Sequence, residues 1–338
     1  MNKSSITAIN ELRFQWQTQD PFLFCVHHDD KYPKGNEEMG PDASLSGRNI
    51  GQDFNAKDGW RMYHGERVPG FPFHPHAGFE TVTICVRGFI DHSDSLGAAG
   101  RFSAGDVQWM TAGKGVQHSE MFPLINKEEG NDLELFQIWL NLPRSSKKVE
   151  PYFKMLWSED IPVVRKDDGK GSKAEIHVIA GKYKDTSALH PTPDSWAADP
   201  ANEVAIWTIG MDANSELLLP ASDSEVNRAL YFYRGSGLSV DGQAIPDYCE
   251  VRLKSDEEVT LSTHDSECHV LLLQGKAIAE PVAQYGPFVG NYEGDIRDIM
   301  MDYQRSEFGG WPWERKDPVH PRERGRFALH ANGREEKR

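Results

Sequence analysis

Short apolar runs separated by glycine-, proline- and aspartate-rich punctuation recur along nearly the whole chain. Thr81 to Val86 is β-branched apart from Cys85, Val107 to Thr111 follows a Gly105-Asp106 turn, and LELFQIWLNL (Leu133 to Leu142) is apolar except where Gln137 and Asn141 interrupt it. Farther on, IHVIAG, VAIWTIGM, ELLLP, ALYFYRGSGLSV, CEVRL, EVTLS and CHVLLLQG come at regular intervals. Runs this short, rich in Val, Ile, Thr and aromatics and bounded by turn residues, predict strands, and their regular spacing predicts antiparallel sandwiches or barrels. Phe22 to Val26 reads as another strand, and the alternation of Trp60, Met62 and His64 with Arg61 and Tyr63 reads as a half-buried one. VRGFI (Val86 to Ile90) and YRGSG (Tyr233 to Gly237) sit at corresponding turns of two similar successions of strands, which implies a degenerate internal repeat. One stretch departs from the β pattern: Ile296, Ile299, Met300 and Tyr303 form one stripe of a helix over 293–304.

The expected organisation is therefore all-β: a polar peripheral segment at 1–20, a first β-domain at 21–145, a Pro/Lys/Asp/Gly-rich linker at 146–173, a second β-domain at 174–290, and a helix with a tail at 291–338 whose final residues are expected to be mobile. Asp29 to Asp53 reads as a long loop placed to cover a site mouth or an oligomer contact, and Asp91 to Gly100, with His92, as a loop edge.

The 338 residues carry a formal net charge of −15, which argues against binding nucleic acid through the overall field. No apolar run is long enough to cross a membrane, and the N-terminus has no secretory pattern. Four cysteines, Cys25, Cys85, Cys249 and Cys268, stand far apart and form no C-x-x-C pair, so they read as free thiols in a reducing cytoplasm.

The candidate chemistry lies between Pro72 and Pro123. His74 and His76 are spaced i, i+2, as are His118 and Glu120. In a strand that spacing aims two side chains at one face. Two such strands facing each other would gather three imidazoles and one carboxylate, a donor set that suits a borderline divalent ion such as iron, copper, nickel or zinc. An octahedral ion held by four protein ligands keeps two positions open. Glu80, four residues after His76, is a rival carboxylate unless Gly78 breaks the strand. His27 and His28 face opposite ways on one strand and read as loop or supporting groups; His64 reads as structural; His177, His264 and His269 are isolated. Gly113-Lys114-Gly115 lacks the downstream glycine and helix start of a phosphate-binding fingerprint.

The block HPHAGFETVTICVRG, with HSDSLGAAG, GDVQWMTAGKGVQHSEMF, AEPVAQYGPFVGN and DYQRSEFGG, resembles the pirin family of the cupin superfamily. The resemblance implies two cupin barrels (a bicupin) with metal only in the first, and a C-terminal helix folded back onto that barrel. It implies His74, His76, His118 and Glu120 as ligands of one ion, most commonly Fe(II), with Cu, Ni, Zn and Mn as alternatives. Glu80 is then left to packing or support. It also marks departures: Ala77 stands where the family has arginine, which would leave the rim of the site less positive, and Gly290-Asn291-Tyr292 stands where it has Met-Asn-Thr.

Two functions follow from the resemblance. One is a quercetin 2,3-dioxygenase-like oxygenase, with a flavonol or other enolic substrate and dioxygen as partners and Glu120 as both ligand and base. Phe73, Phe79, Trp109, Met110 and Met121 are then candidate pocket walls. The other is a non-enzymatic iron-binding regulator that acts through a protein partner. A substrate-sized cavity beside the metal site would discriminate in favour of the first.

Overall fold

The computed structural model describes residues 4–167 and 171–338. The chain forms two compact units, Met1–Cys25 with Glu159–Ala279 and Val26–Ser158 with Glu280–Arg338. Each is built on two antiparallel sheets.

In the unit that carries the histidines, one sheet runs in the order Tyr152–Leu156, Val107–Thr111, Phe79–Arg87, Asn131–Asn141 and Phe22–Tyr32. The other runs Glu335–Lys337, Phe327–Leu329, Ala99–Ser103, Phe89–Asp94, Val116–Met121 and Gly70–His76. Between the sheets lies an apolar core that includes Ile90, Phe102, Leu133, Leu135, Phe153 and Trp157. The chain passes from the Gly70–His76 strand of one sheet to the Phe79–Arg87 strand of the other through Gly78, at φ +86, where a Cβ would stand 1.8 Å from the Val289 carbonyl oxygen. Only glycine fits that corner. It also ends the face that His76 and Glu80 would share on an unbroken strand.

The helix Glu293–Ser306 follows the hairpin Ala283–Tyr285/Phe288–Gly290. The Asp295 carboxylate accepts from the backbone N–H groups of Asn291 and Tyr292 at its start, which satisfies donors at the helix entrance. Its apolar stripe packs Ile296 with Ala77, Phe288 and Phe308. Ala77 is thus buried beneath the helix rather than on a rim.

The other unit has a seven-stranded sheet, Ile6–Glu11, Cys249–Leu253, Val226–Gly235, Cys268–Lys276, Ala205–Met211, Lys173–Ala180 and Val163–Asp167, and a four-stranded one, Glu216–Leu219, Val259–Thr263, Leu238–Val240 and Gln243–Ala244. Their inner faces close on Trp207, Phe232, Leu261 and Leu272. No helix among the described residues is long and apolar enough to cross a membrane. The four cysteines are free and buried.

Several segments differ from expectation. The 1–20 segment, of which 1–3 lie outside the described residues, is not peripheral: Ile6–Glu11 is an edge strand paired with Cys249–Leu253. Ile6 and Ile9 pack on the core while the outward positions stay polar, and that polarity hid the strand. Of the linker expected at 146–173, residues 168–170 lie outside the described residues, and Tyr152–Leu156 and Val163–Asp167 are strands. Trp60 to His64 is not a strand, because Tyr63 takes φ +56 and the stretch is held by loop contacts, Arg48 Nη1 to the Trp60 carbonyl (2.9 Å) and the Met62 N–H to Asp53 Oδ2 (2.9 Å). Asp91 to Gly100 is a turn only at 95–98; 91–94 and 99–100 belong to two buried strands rather than to a loop edge. Its polarity is internal, since Arg101 Nε and Nη2 clasp both oxygens of Asp91 at 2.7 and 2.8 Å. The tail is tied down: Phe327–Leu329 pairs with Ala99–Ser103, and Glu335–Lys337 pairs with Phe327–Leu329. The long segment after Phe22 continues as strand to Tyr32 before it loops.

Candidate metal centre

Gly70–His76 and Val116–Met121 are antiparallel neighbours, with His74 directly opposite His118. A register shift between Phe71 and His74 bends the first strand there, as bulges do beside functional sites. Alternation brings His76 to the same face. The ring centroids of His74 and His118 are 4.5 Å apart, those of His76 and His118 4.9 Å, and those of His74 and His76 4.7 Å. One ligand nitrogen from each ring lies within 4.8 Å of the others, and among the described residues this is the group of three or more His, Cys, Asp or Glu side chains so arranged.

The hydrogen bonds leave this cluster open for a cation. His74 Nδ1 donates to the Pro72 carbonyl at 2.8 Å, so its Nε2 is left unprotonated. His76 Nδ1 and both nitrogens of His118 are buried and have no hydrogen-bond partner among the described residues. Unpaired buried nitrogens are costly and rare, and a metal ion satisfies them. Burial, followed by repulsion from neighbouring histidines, lowers His118 and His76 well below the usual imidazole range, and burial lowers His74 to about 4. All three rings are neutral at pH 7, the form that ligates. The residues present therefore fit a borderline divalent ion.

Glu120, two residues after His118, is buried on the same strand. Its Oε1 accepts from Thr83 Oγ1 at 2.9 Å and its Oε2 from Gln137 Nε2 at 2.6 Å. Oε2 stands 4.0 Å from His118 Nε2, so the carboxylate borders the three-imidazole cluster without joining it. Burial raises its pKa, and the Thr83 and Gln137 hydrogen bonds work against that rise. Glu80 points elsewhere, accepting from Thr111 Oγ1 at 2.6 Å and Trp109 Nε1 at 3.2 Å.

A cavity of about 460 Å³ opens onto the cluster, lined by His64, Phe71, Pro72, Phe73, His74, His76, Gln137 and Trp139. Of the walls expected from sequence, Phe73 lines it. Phe79, Trp109, Met110 and Met121 are buried core residues, with Phe79 stacked beneath Trp139 at 3.9 Å. Phe71, Gln137 and Trp139 escaped the sequence reading, yet Gln137 left a signal as a polar interruption in an apolar strand. His92 escaped too: it lies directly opposite Glu120, its ring is 5.5 Å from that of His118, and Gln108 Nε2 contacts its Nδ1 at 2.8 Å.

The remaining histidines stand outside the cluster. His64 Nδ1 donates to the Gly51 carbonyl at 2.7 Å, which brings the long loop to the cavity rim. His27 Nε2 meets Glu134 at 3.0 Å, and His28 Nδ1 meets the Tyr63 hydroxyl at 2.8 Å. In the other unit His177 meets Glu175, His264 meets Ser239, and His269 lies 3.7 Å from Glu267.

Residues 6–140 match the family model described as Pirin, and residues 206–309 match that of the pirin C-terminal cupin domain. The chain belongs to the pirin family. Rat pirin is 32% identical over 265 residues, covering 73% of this chain and 80% of its own. The tomato pirin-like protein is 34% identical over 245 residues, covering 71% and 77%. A Pseudomonas aeruginosa protein named "Putative quercetin 2,3-dioxygenase PA2418" is 34% identical over 235 residues, covering 70% and 78%. Among solved structures, a quercetin 2,3-dioxygenase from Acinetobacter baumannii superposes with a TM-score of 0.69 at 24% identity, covering 90% of this chain and 98% of that one, which shows a shared fold.

Proposed function

We propose that this pirin is a metal-dependent dioxygenase acting on flavonol-like or other enolic substrates, with Fe(II) held by His74, His76, His118 and Glu120. The cavity carries this reading: about 460 Å³ beside three neutral imidazoles is within the range of small-molecule sites. A regulator that works through a protein surface has no need of such a space. The names of the Pseudomonas relatives point the same way.

When bound, the iron would supply open coordination positions and redox capacity toward dioxygen. The protein's own groups do the rest. His74, His76 and His118 present neutral nitrogens from two strands, so the donor geometry is set by backbone pairing rather than by a loop. Phe71, Phe73 and Trp139 offer flat apolar walls to a conjugated ring and keep water from its faces. Glu120 accepts the proton of the enolic hydroxyl at a carboxylate oxygen. Its pKa, raised by burial, brings it closer to the working pH of a general base. Thr83 and Gln137 hold that carboxylate 4.0 Å from His118 Nε2, where it would serve as the fourth ligand.

The test is anaerobic loading with iron followed by flavonol-decay and oxygen-uptake assays. Turnover that disappears in His118→Ala is the expected result. Rates no higher than that variant across several enolic substrates would overturn the reading.

A further inference from the structure

The sequence beyond 309 lies outside both family matches, yet in this chain it is built into the unit that holds the histidines. The Gly70–His76 strand is the outer strand of its sheet, and the Phe73 N–H on that strand donates to the Lys316 carbonyl at 2.7 Å. Trp311 lies against Phe73, ring centroids 5.3 Å apart, and the Lys316 ammonium is 5.6 Å from the Phe73 centroid. Trp311 is itself fixed by its indole N–H, which donates to the Arg315 carbonyl at 2.7 Å. Trp313 Nε1 donates to the carbonyl of Asp94, the residue directly opposite His118. Downstream, buried Arg101 donates to the carbonyls of His320 (2.8 Å), Pro321 (2.9 Å) and Arg324 (2.8 Å). The segment 311–324 is thus a strap fastened at both ends, and the side chain it presses on, Phe73, is a wall of the cavity beside His74.

We propose that this strap determines specificity, with Trp311 as a positioning residue that seats Phe73 as an aromatic face for extended, flat conjugated ligands; the inference rests on the reading of the cavity as an enol-binding site. A ring already held against a neighbouring indole loses little freedom when a second ring stacks on it, so the gain goes to ligands long enough to reach from the histidines to Phe73. A small enol that occupies only the space beside the histidines does not touch that face.

The experiment uses the iron-loaded protein without dioxygen, with calorimetric titration of quercetin as the flat aromatic probe and acetylacetone as the small non-aromatic enol. Trp311→Ala is expected to raise the Kd for quercetin about three- to tenfold and to leave that for acetylacetone unchanged, while Trp311→Phe stays near wild type. With dioxygen admitted, KM for quercetin rises in Trp311→Ala and kcat holds. If Trp311→Ala fails to fold, Trp311→Leu, which keeps apolar bulk but removes the ring, carries the same expectation. Unchanged affinities, equal losses for both probes, or a loss in Trp311→Phe as large as in Trp311→Ala would each overturn the proposal. A wild-type protein that does not bind quercetin overturns it together with the flavonol reading. Quercetin binding that depends on residue 311 without any oxygen uptake upholds the strap and ends the oxygenase reading alone.

Discussion

His74 and His118 are directly opposed across an antiparallel strand pair, their rings 4.5 Å apart, with the N–H of one committed to a backbone carbonyl and both nitrogens of the other without a hydrogen-bond partner among the described residues. That asymmetry is what a metal site needs. One ring is locked in its tautomer, and the other is available at whichever nitrogen the ion selects.

Metal should therefore stabilise the fold. An ion that binds the native chain and not the unfolded one adds about 3–4 kcal/mol at a free concentration of one hundred to one thousand times its Kd. Melting temperature should rise on loading with Fe(II) or a substitute divalent ion and return to the metal-free value with a chelator. His118→Ala should abolish the rise and the bound stoichiometric metal, as measured by scanning calorimetry and elemental analysis. A melting temperature indifferent to metal would remove the ion from the folded state's energetics.

Replacing Glu120 by glutamine separates the two roles given to this carboxylate. The amide keeps the size and can still meet Thr83 and Gln137, while three imidazoles remain to hold the ion. Metal should stay bound with weakened affinity, and turnover of an enolic substrate should fall by about 10²–10⁴, the range for losing a general base. Full activity with glutamine at 120 would show that the proton goes elsewhere.

The β-rich architecture and the histidines were legible because both depend on local alternation. His74, His76 and His118 needed only a period of two and one strand pairing. What stayed hidden depends on distant partners. Asp91, His92 and Arg101 look like polar loop residues in sequence, but they are buried because Asp91 and Arg101 neutralise each other and the C-terminal tail covers them. The tail looked mobile for the complementary reason: its anchors are main-chain carbonyls, and these leave no mark in residue type. Glu120's two hydrogen bonds come from Thr83 and Gln137 on the opposite sheet, so its position could not be read from its spacing to His118.

Acid should weaken the metal-free protein through His28. Burial, with His27 and Arg61 adding to it, lowers this ring to about 3 from a usual value of 6.5, and its Nδ1 donates to the Tyr63 hydroxyl. The unfolded chain therefore binds more protons between those values, and stability falls as pH drops through that window. A single such group costs about 2 kcal/mol between pH 7 and pH 5. Urea denaturation at the two pH values should show His28→Gln losing less than wild type by about that amount. An equal loss in both would mean His28 is protonated in the native state.

The buried Arg101–Asp91 pair makes the sharpest stability prediction. Both side chains are fully buried, and the guanidinium also serves the carbonyls of His320, Pro321 and Arg324. Arg101→Ala removes the cation and leaves the Asp91 carboxylate in the interior with the His320 N–H as its remaining donor among these contacts. Breaking a buried pair from one side costs about 3–5 kcal/mol, because the stranded charge keeps its desolvation penalty. The double variant Asp91→Leu/Arg101→Met removes both charges and should recover part of that loss, but not the tail contacts. Equilibrium denaturation measures the first effect, and limited proteolysis the second: cleavage within 311–326 should accelerate in both variants. A double variant as unstable as Arg101→Ala alone would place the cost in the lost carbonyl contacts and not in the stranded carboxylate.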